Sequence, residues 1–333
     1  MPDKICWGLL STANINKAVI EPIRQAERSE LVAVASRNVD KANAYATDQG
    51  IPKAHGSYEA LLADPEVDVI YNPLPNAMHC EWTVKAAEAG KHVLCEKPIT
   101  ITLDELDQVE RAAQANGVQI FEAFMYLHHP QTLQVQGLLQ AGKVGQVQLI
   151  NSWFHFYLSP ERAENIRLSA PLVGGSMWDI GVYPNSMAIT MANAGTPTEV
   201  YADQIIGETG VDVAMRAQLK FSNGVVAQTS ASFRTPFREG TTIVGDAGMI
   251  TIPQPWKPGN EGVESRITIT SRDGTEETIV FPAINPYLCE VQAMEACLLD
   301  GADPIVPLSR SRQFLQSALA AYQSARENRP VRP

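Results

Sequence analysis

The sequence predicts an α/β protein: a doubly wound parallel sheet, then an α+β region built on an open, mainly antiparallel sheet. Three observations carry this. Up to about Glu122, apolar strand-like runs alternate with helical patterns, which is the signature of crossover units. Beyond Leu149, long stretches alternate polar and apolar residues as half-buried strands do. A chain of 333 residues is also long enough to divide into two cores. The boundary is expected near residue 123, giving domains 1–123 and 124–333.

In the first region the strand-like runs are Ile5 to Leu10, Leu31 to Ala35, Val67 to Tyr71, His92 to Cys95 and Val118 to Phe121. Before the last of these, Thr102 with Glu105 three residues later forms a capping box, and Gly117 closes the helix it opens. In the second region Gln148 to Tyr157, Val213 to Phe221, Gly224 to Phe233 and Ile267 to Thr270 read as strands, with Asn223-Gly224 as a tight hairpin turn. The stretch from Cys289 to Leu299 and the helix from Ser309 to Glu327 are expected to pack back on the molecule. The final helix could reach the first domain.

A net charge of −11 without a basic cluster argues against nucleic acid or an anionic membrane as partner. Cys6, Cys80, Cys95, Cys289 and Cys297 contain no Cys-x-x-Cys pair, so neither a metal site nor a disulfide framework is expected. The N-terminal apolar stretch breaks at Ser11, too soon for a signal peptide, and no apolar run reaches membrane-spanning length. A reducing, cytoplasmic setting is the expectation.

The most informative run is Gly90-Lys91-His92-Val93-Leu94-Cys95-Glu96-Lys97-Pro98, where an apolar strand ends on a charged pair before proline. A lysine at a strand end can polarise a C–O bond and lower the pKa of a neighbouring acid. A surface Glu-Lys pair at a turn is the competing view, and the surroundings decide. Preceding it is Val67-Asp68-Val69-Ile70-Tyr71-Asn72-Pro73-Leu74-Pro75-Asn76-Ala77-Met78-His79; further on come Trp178-Asp179-Ile180-Gly181-Val182-Tyr183 and Asn285-Pro286-Tyr287.

Together these stretches resemble the Gfo/Idh/MocA family of nicotinamide-dependent oxidoreductases over nearly the whole chain. Within it, they are most similar to the branch of NADP-dependent D-xylose 1-dehydrogenases and dimeric dihydrodiol dehydrogenases. The resemblance implies a Rossmann domain followed by a substrate-binding and oligomerisation domain, a sugar or polyol substrate, and a homodimer or homotetramer formed through the C-terminal sheet. No metal is implied.

The cofactor loop should follow the first strand at Ser11-Thr12-Ala13-Asn14-Ile15. In the register GxGxxG the glycines fall on Ser11, Ala13 and Asn16, so the usual fingerprint is absent. Small side chains at Ser11 and Ala13 still allow backbone approach to a pyrophosphate, and the next helix start supplies amides and dipole. After the second strand stand Ser36, Arg37 and, one turn later, Lys41. A guanidinium here suits a 2′-phosphate, so NADP is expected over NAD. The resemblance adds cofactor contacts at Asn72, Pro73, Leu74, Asn76, His79, Glu96, Lys97 and Glu122.

Asp179 and Tyr183 are four apart, a spacing that puts both on one helical face, and Pro184 points to a first-turn position or a kink. In the family the residue at the Tyr183 position completes the site with the lysine of Glu-Lys-Pro. A free phenol has a pKa of about 10, and an adjacent ammonium lowers it. Lys97 thus tunes, Tyr183 transfers the proton and Asp179 orients a neighbouring hydroxyl. Trp153, Phe154, Phe156 and Tyr157 alternate along a strand, so one face could present rings to a pyranose while the other packs inward; Arg167, Tyr126, Trp153 and Phe156 complete the expected substrate site. Rival readings are a glycoside hydrolase that retains NAD and oxidises its substrate transiently, and a non-catalytic NADP sensor.

Overall fold

The computed structural model describes residues 4–162 and 164–333. The chain forms two compact units, one comprising Met1–Met125 with Tyr287–Leu308, the other Tyr126–Pro286 with Ser309–Pro333.

In the first unit β1 (Ile5–Leu9), α1 (Asn16–Gln25), β2 (Ser29–Ala35), α2 (Val39–Gln49), β3 (Lys53–His55), α3 (Tyr58–Leu62), β4 (Val69–Asn72), α4 (His79–Glu88), β5 (His92–Glu96), α5 (Leu103–Asn116) and β6 (Ile120–Ala123) follow one another. The six strands are parallel, in the order β3-β2-β1-β4-β5-β6. Leu9, Ile70 and Val93 are fully buried, as central strands covered on both faces require. The chain leaves β1 toward β2 and β3, then returns to place β4 on the other side of β1. The loops after β1 and β4 therefore flank the point where strand order reverses, the usual crevice for a nucleotide.

The short strand β3 is not legible in the sequence, because Lys53-Ala54-His55 has no apolar alternation. The capping box forms with one change: Thr102 Oγ1 accepts the Glu105 amide at 3.2 Å, but Glu105 Oε2 accepts from Ile101 N at 2.9 Å. Gly117 closes α5 with φ +64°. Residues of α8 (Pro286–Asp300) are tied to the start of β2, where Glu295 Oε1 accepts from Ser29 Oγ at 2.8 Å and from Arg28 N at 3.0 Å.

The second unit contains α6 (Pro130–Gln140), β7 (Val147–Tyr157), α7 (Val182–Ala192), β8 (Glu199–Ile206), β9 (Asp212–Lys220), β10 (Val226–Ser232), β11 (Arg234–Gly245), β12 (Gly248–Ile252), β13 (Ser265–Ser271), β14 (Glu276–Phe281) and α9 (Leu308–Glu327). Its eight strands run β14-β13-β12-β11-β7-β10-β9-β8. Every pairing is antiparallel except β7 with β10. The turn at Asn223-Gly224 is wider than a two-residue hairpin: Phe221 N bonds Val225 O at 2.9 Å, enclosing three residues, with Gly224 at φ +88°.

Candidate active site

In the first unit, Gly8 lies in the buried part of β1, against α3. A Cβ there would stand 2.9 Å from Leu61 Cδ1 and 3.0 Å from Val67 Cγ1, so packing demands glycine. The loop that follows is held from within. Ala13 N donates to Ser11 Oγ at 3.2 Å, and Asn16 Nδ2 to Ser11 O at 2.7 Å. The amides of Thr12, Asn14 and Ile15 have no acceptor among the described residues, and α1 begins without a side-chain cap. Small side chains, free amides and a helix start together fit a pyrophosphate.

At the end of β2, Ser36 Oγ accepts from Asn38 N at 3.4 Å, and Asn38 Oδ1 caps α2 by accepting from Lys41 N at 2.9 Å. These bonds shape the loop and leave Arg37 and Lys41 exposed. Arg37 lies beside the Tyr58 phenol and forms no ion pair among the described residues. A cation so placed fits a phosphate ester on the adenosine ribose.

The loop after β4 is pinned by side chains expected to face the cofactor. Asn72 is fully buried; its Nδ2 donates to His79 O at 3.3 Å and Thr83 Oγ1 at 3.2 Å, and its Oδ1 accepts from Leu74 N at 3.3 Å. His79, 1% exposed, has Leu74 O 2.6 Å from Nε2 and Pro98 O 2.7 Å from Nδ1. Burial dominates those two carbonyls and lowers its pKa to about 4, with Lys97 adding to the effect. The ring spans two carbonyl oxygens, one at each nitrogen. It joins the Pro73-Leu74-Pro75 loop, where Asn76 opens the next turn, to the Lys97-Pro98 turn.

Lys97 is half-buried at the end of β5. Beside it, Glu96 Oε1 accepts the Tyr71 hydroxyl at 2.6 Å. Burial, and then the Glu96 charge, pushes Tyr71 and Glu290 well above their usual ranges. Glu122, at the end of β6, is buried and accepts from Ile99 N at 3.0 Å, fixing the segment after Pro98.

In the second unit, Asp179 and Tyr183 share one helical segment. A single π-helical stretch, Met177–Gly181, leads into α7, and Pro184 occupies the first turn of α7, where its missing N–H is harmless. Arg167 Nε lies 2.6 Å from Asp179 Oδ2. Tyr183, 8% exposed, is boxed by rings: Phe154 at 5.6 Å, Trp256 at 5.7 Å and Tyr126 at 5.9 Å between centroids. The Tyr126 hydroxyl is engaged with Ser186 Oγ at 2.8 Å.

Strand alternation separates the aromatic residues of β7. Trp153 and Phe156 have opposite parity on β7 and cannot line one surface. Trp153 faces away from Tyr183 and packs under the Arg238 guanidinium at 5.4 Å, while Phe156 packs on Phe233 at 5.1 Å. The ring beside Tyr183 is that of Phe154, and Trp256 stacks on it at 5.9 Å. Glu239, opposite Phe154 in the β7–β11 ladder, shares that face. Burial raises its pKa to about 7 against the Trp256 amide and the Lys257 charge. Trp256, between two prolines, has no periodic signal in the sequence, and Glu239 reads as an ordinary strand carboxylate.

Two family models match the chain. The oxidoreductase family with an NAD-binding Rossmann fold covers residues 7–124, and the GFO/IDH/MocA C-terminal domain covers 132–251. A D-xylose 1-dehydrogenase (NADP(+)) of Haloferax volcanii is 37% identical over 320 residues, 96% of this chain and 97% of that protein. A trans-1,2-dihydrobenzene-1,2-diol dehydrogenase of Danio rerio is 33% identical, covering 79% of this chain and 80% of its own. Among solved structures, a 3-ketoreductase from Actinomadura kijaniata in complex with NADP and TDP-benzene superposes with a TM-score of 0.88. It is 28% identical over 96% of this chain and 98% of that one.

Proposed function

The chain belongs to the Gfo/Idh/MocA family of oxidoreductases, and from that premise we propose that it is an NADP-linked dehydrogenase acting on a hydroxyl of a small sugar, polyol or cyclic diol. One observation carries the reading: end-to-end similarity to an NADP-dependent pentose dehydrogenase in a chain that presents Arg37 after β2, Lys97 after β5 and an aromatic-walled Tyr183 on α7. Residues up to about 123 bind the dinucleotide, and those beyond bind the substrate.

A bound NADP+ would supply the hydride acceptor. The amides of Thr12, Asn14 and Ile15 would hold its pyrophosphate, and Arg37 with Lys41 its 2′-phosphate. Tyr183 removes the hydroxyl proton, and Lys97 supplies the positive charge that the reaction needs. Asp179, oriented by Arg167, accepts a bond from a neighbouring hydroxyl. Phe154, half-buried beside Tyr183 and backed by the buried Trp256, presents ring surface to the C–H face of a pyranose, as aromatic walls do for sugars. The reverse reduction uses the same groups.

A homodimer or homotetramer through the large sheet fits the exposed Tyr201, Ile205 and Ile206 of β8, apolar residues that a second copy would cover. Among the described residues no helix is long and apolar enough to cross a membrane. The test of the reading is a panel of aldoses, inositols and cyclic diols with NADP+ followed at 340 nm. Turnover that requires added NADP+ supports it; hydrolysis with no added cofactor contradicts it.

A further inference from the structure

The segment that carries Asp179 and Tyr183 starts from a node centred on Asp212, the first residue of β9, which is 2% exposed. Three donors converge on its carboxylate. Ser176 Oγ and Met177 N donate to Oδ2 at 2.6 and 2.8 Å, and the Tyr322 hydroxyl of α9 donates to Oδ1 at 2.6 Å. Burial, and then the Asp212 charge, raises the Tyr322 pKa well above its usual value, so the phenol stays a donor. The Tyr322 ring also packs on Trp178 at 5.2 Å.

Gly175 is required by this node, and Gly174 by the adjoining Ile166–Arg167 backbone. Gly175 has φ +126°, and a Cβ there would lie 2.2 Å from Asp212 Oδ1; one on Gly174 would lie 2.5 Å from Arg167 O. Gly175 N donates to Arg167 O at 2.8 Å, and Asp179 N to Gly175 O at 3.0 Å. The backbone that carries Asp179 and the backbone that carries its ion-pair partner Arg167 are thus both fastened to the loop that Asp212 holds. Charge-assisted bonds to a buried carboxylate are stronger than neutral ones, which suits a group that must fix a whole turn.

We propose that Asp212 is a positioning residue: its carboxylate sets the first turn of the Ser176–Tyr183 segment and thereby the placement of Asp179 and Tyr183. The proposal rests on the catalytic reading above. Asp212→Asn has the same shape but no charge: with its Oδ1 toward Ser176 and Met177, its amide must donate to the Tyr322 oxygen, so that bond reverses and all three become neutral.

The experiment compares wild type, Asp212→Asn, Ser176→Ala and Tyr322→Phe as full-length proteins. It measures kcat with the most active aldose of the panel, the Kd of NADPH by fluorescence, and peptide-level hydrogen exchange. Asp212→Asn is expected to lower kcat about 100-fold, the loss that follows when a reacting group is misplaced by roughly 1 Å. NADPH affinity should stay within about twofold, since a uniform fold defect would weaken both. Exchange should rise across 174–183 and not across β7. Should Asp212→Asn fail to fold, Ser176→Ala and Tyr322→Phe decide, each expected to lose about tenfold in kcat for one bond to a charged group. Unchanged kcat in the variants that fold, or parallel loss of kcat and NADPH binding, overturns the proposal. If wild type oxidises no sugar with NADP+, the functional reading fails by itself, and the exchange data still show whether Asp212 orders the segment.

Discussion

Arg167 meets Asp179 with its Nε 2.6 Å from Oδ2, and this pair links a surface loop to the helical segment that carries Tyr183. The arginine is 43% exposed and the aspartate 17%, so the contact contributes little to stability, on the order of 1 kcal/mol or less. Its use is orientation of a carboxylate. Arg167→Ala is expected to raise KM for the sugar about tenfold, the worth of one misdirected charged hydrogen bond, with melting temperature unchanged. Steady-state kinetics with a parallel melt checks this; an unchanged KM would release Asp179 from the substrate role.

Cofactor choice turns on Arg37. Replacing it with alanine removes a charged contact to a 2′-phosphate and should lower kcat/KM for NADP+ by about 10- to 100-fold while leaving NAD+ nearly untouched. Equal losses with both cofactors would show that Arg37 does not read the 2′-phosphate.

Gly8 is a packing requirement. Gly8→Ala forces a methyl against Leu61 and Val67 at about van der Waals overlap and should destabilise the protein by about 1–3 kcal/mol. Denaturant unfolding measures it, and a neutral result would mean that α3 moves aside freely.

Stability should respond to pH in two opposite ways. His79, His128 and His129 are lowered by burial from 6.5 to about 4, so the folded state favours their neutral rings. Their contribution is present above pH 6.5 and is lost as pH falls toward 4. Glu239 is raised from 4.5 to about 7, so the folded state favours its protonated form. That contribution is present below pH 4.5 and is lost as pH rises toward 7. Glu239→Gln should therefore gain stability relative to wild type between pH 5 and pH 7.5 in a series of thermal melts. A difference that does not vary with pH would mean that Glu239 titrates normally.

The sheet of the first unit was legible because strands buried on both faces are continuous apolar runs, as in Val67 to Tyr71 and His92 to Cys95. β3 escaped because an edge strand needs no such run. Lys97, Asp179 and Tyr183 were marked by short local spacing, which a sequence displays directly. Asp212 and Tyr322, 110 residues apart, become neighbours only through packing. Parity along β7 tells which residues share a face, and only the contact of Phe154 with Tyr183 tells which face adjoins Tyr183.

The central claim is that Lys97 and Tyr183 handle the proton while NADP+ takes the hydride. The most direct measurement is a double-mutant cycle on kcat, with Lys97→Ala, Tyr183→Phe and the double variant assayed on the best sugar substrate with NADP+ at 340 nm, alongside NADPH binding by fluorescence. The account predicts that each single variant loses about 1,000-fold or more in kcat, that the double variant loses scarcely more than either, and that NADPH binding survives, because residues acting as a unit are non-additive. Additive losses, or substantial turnover by Tyr183→Phe, would contradict it.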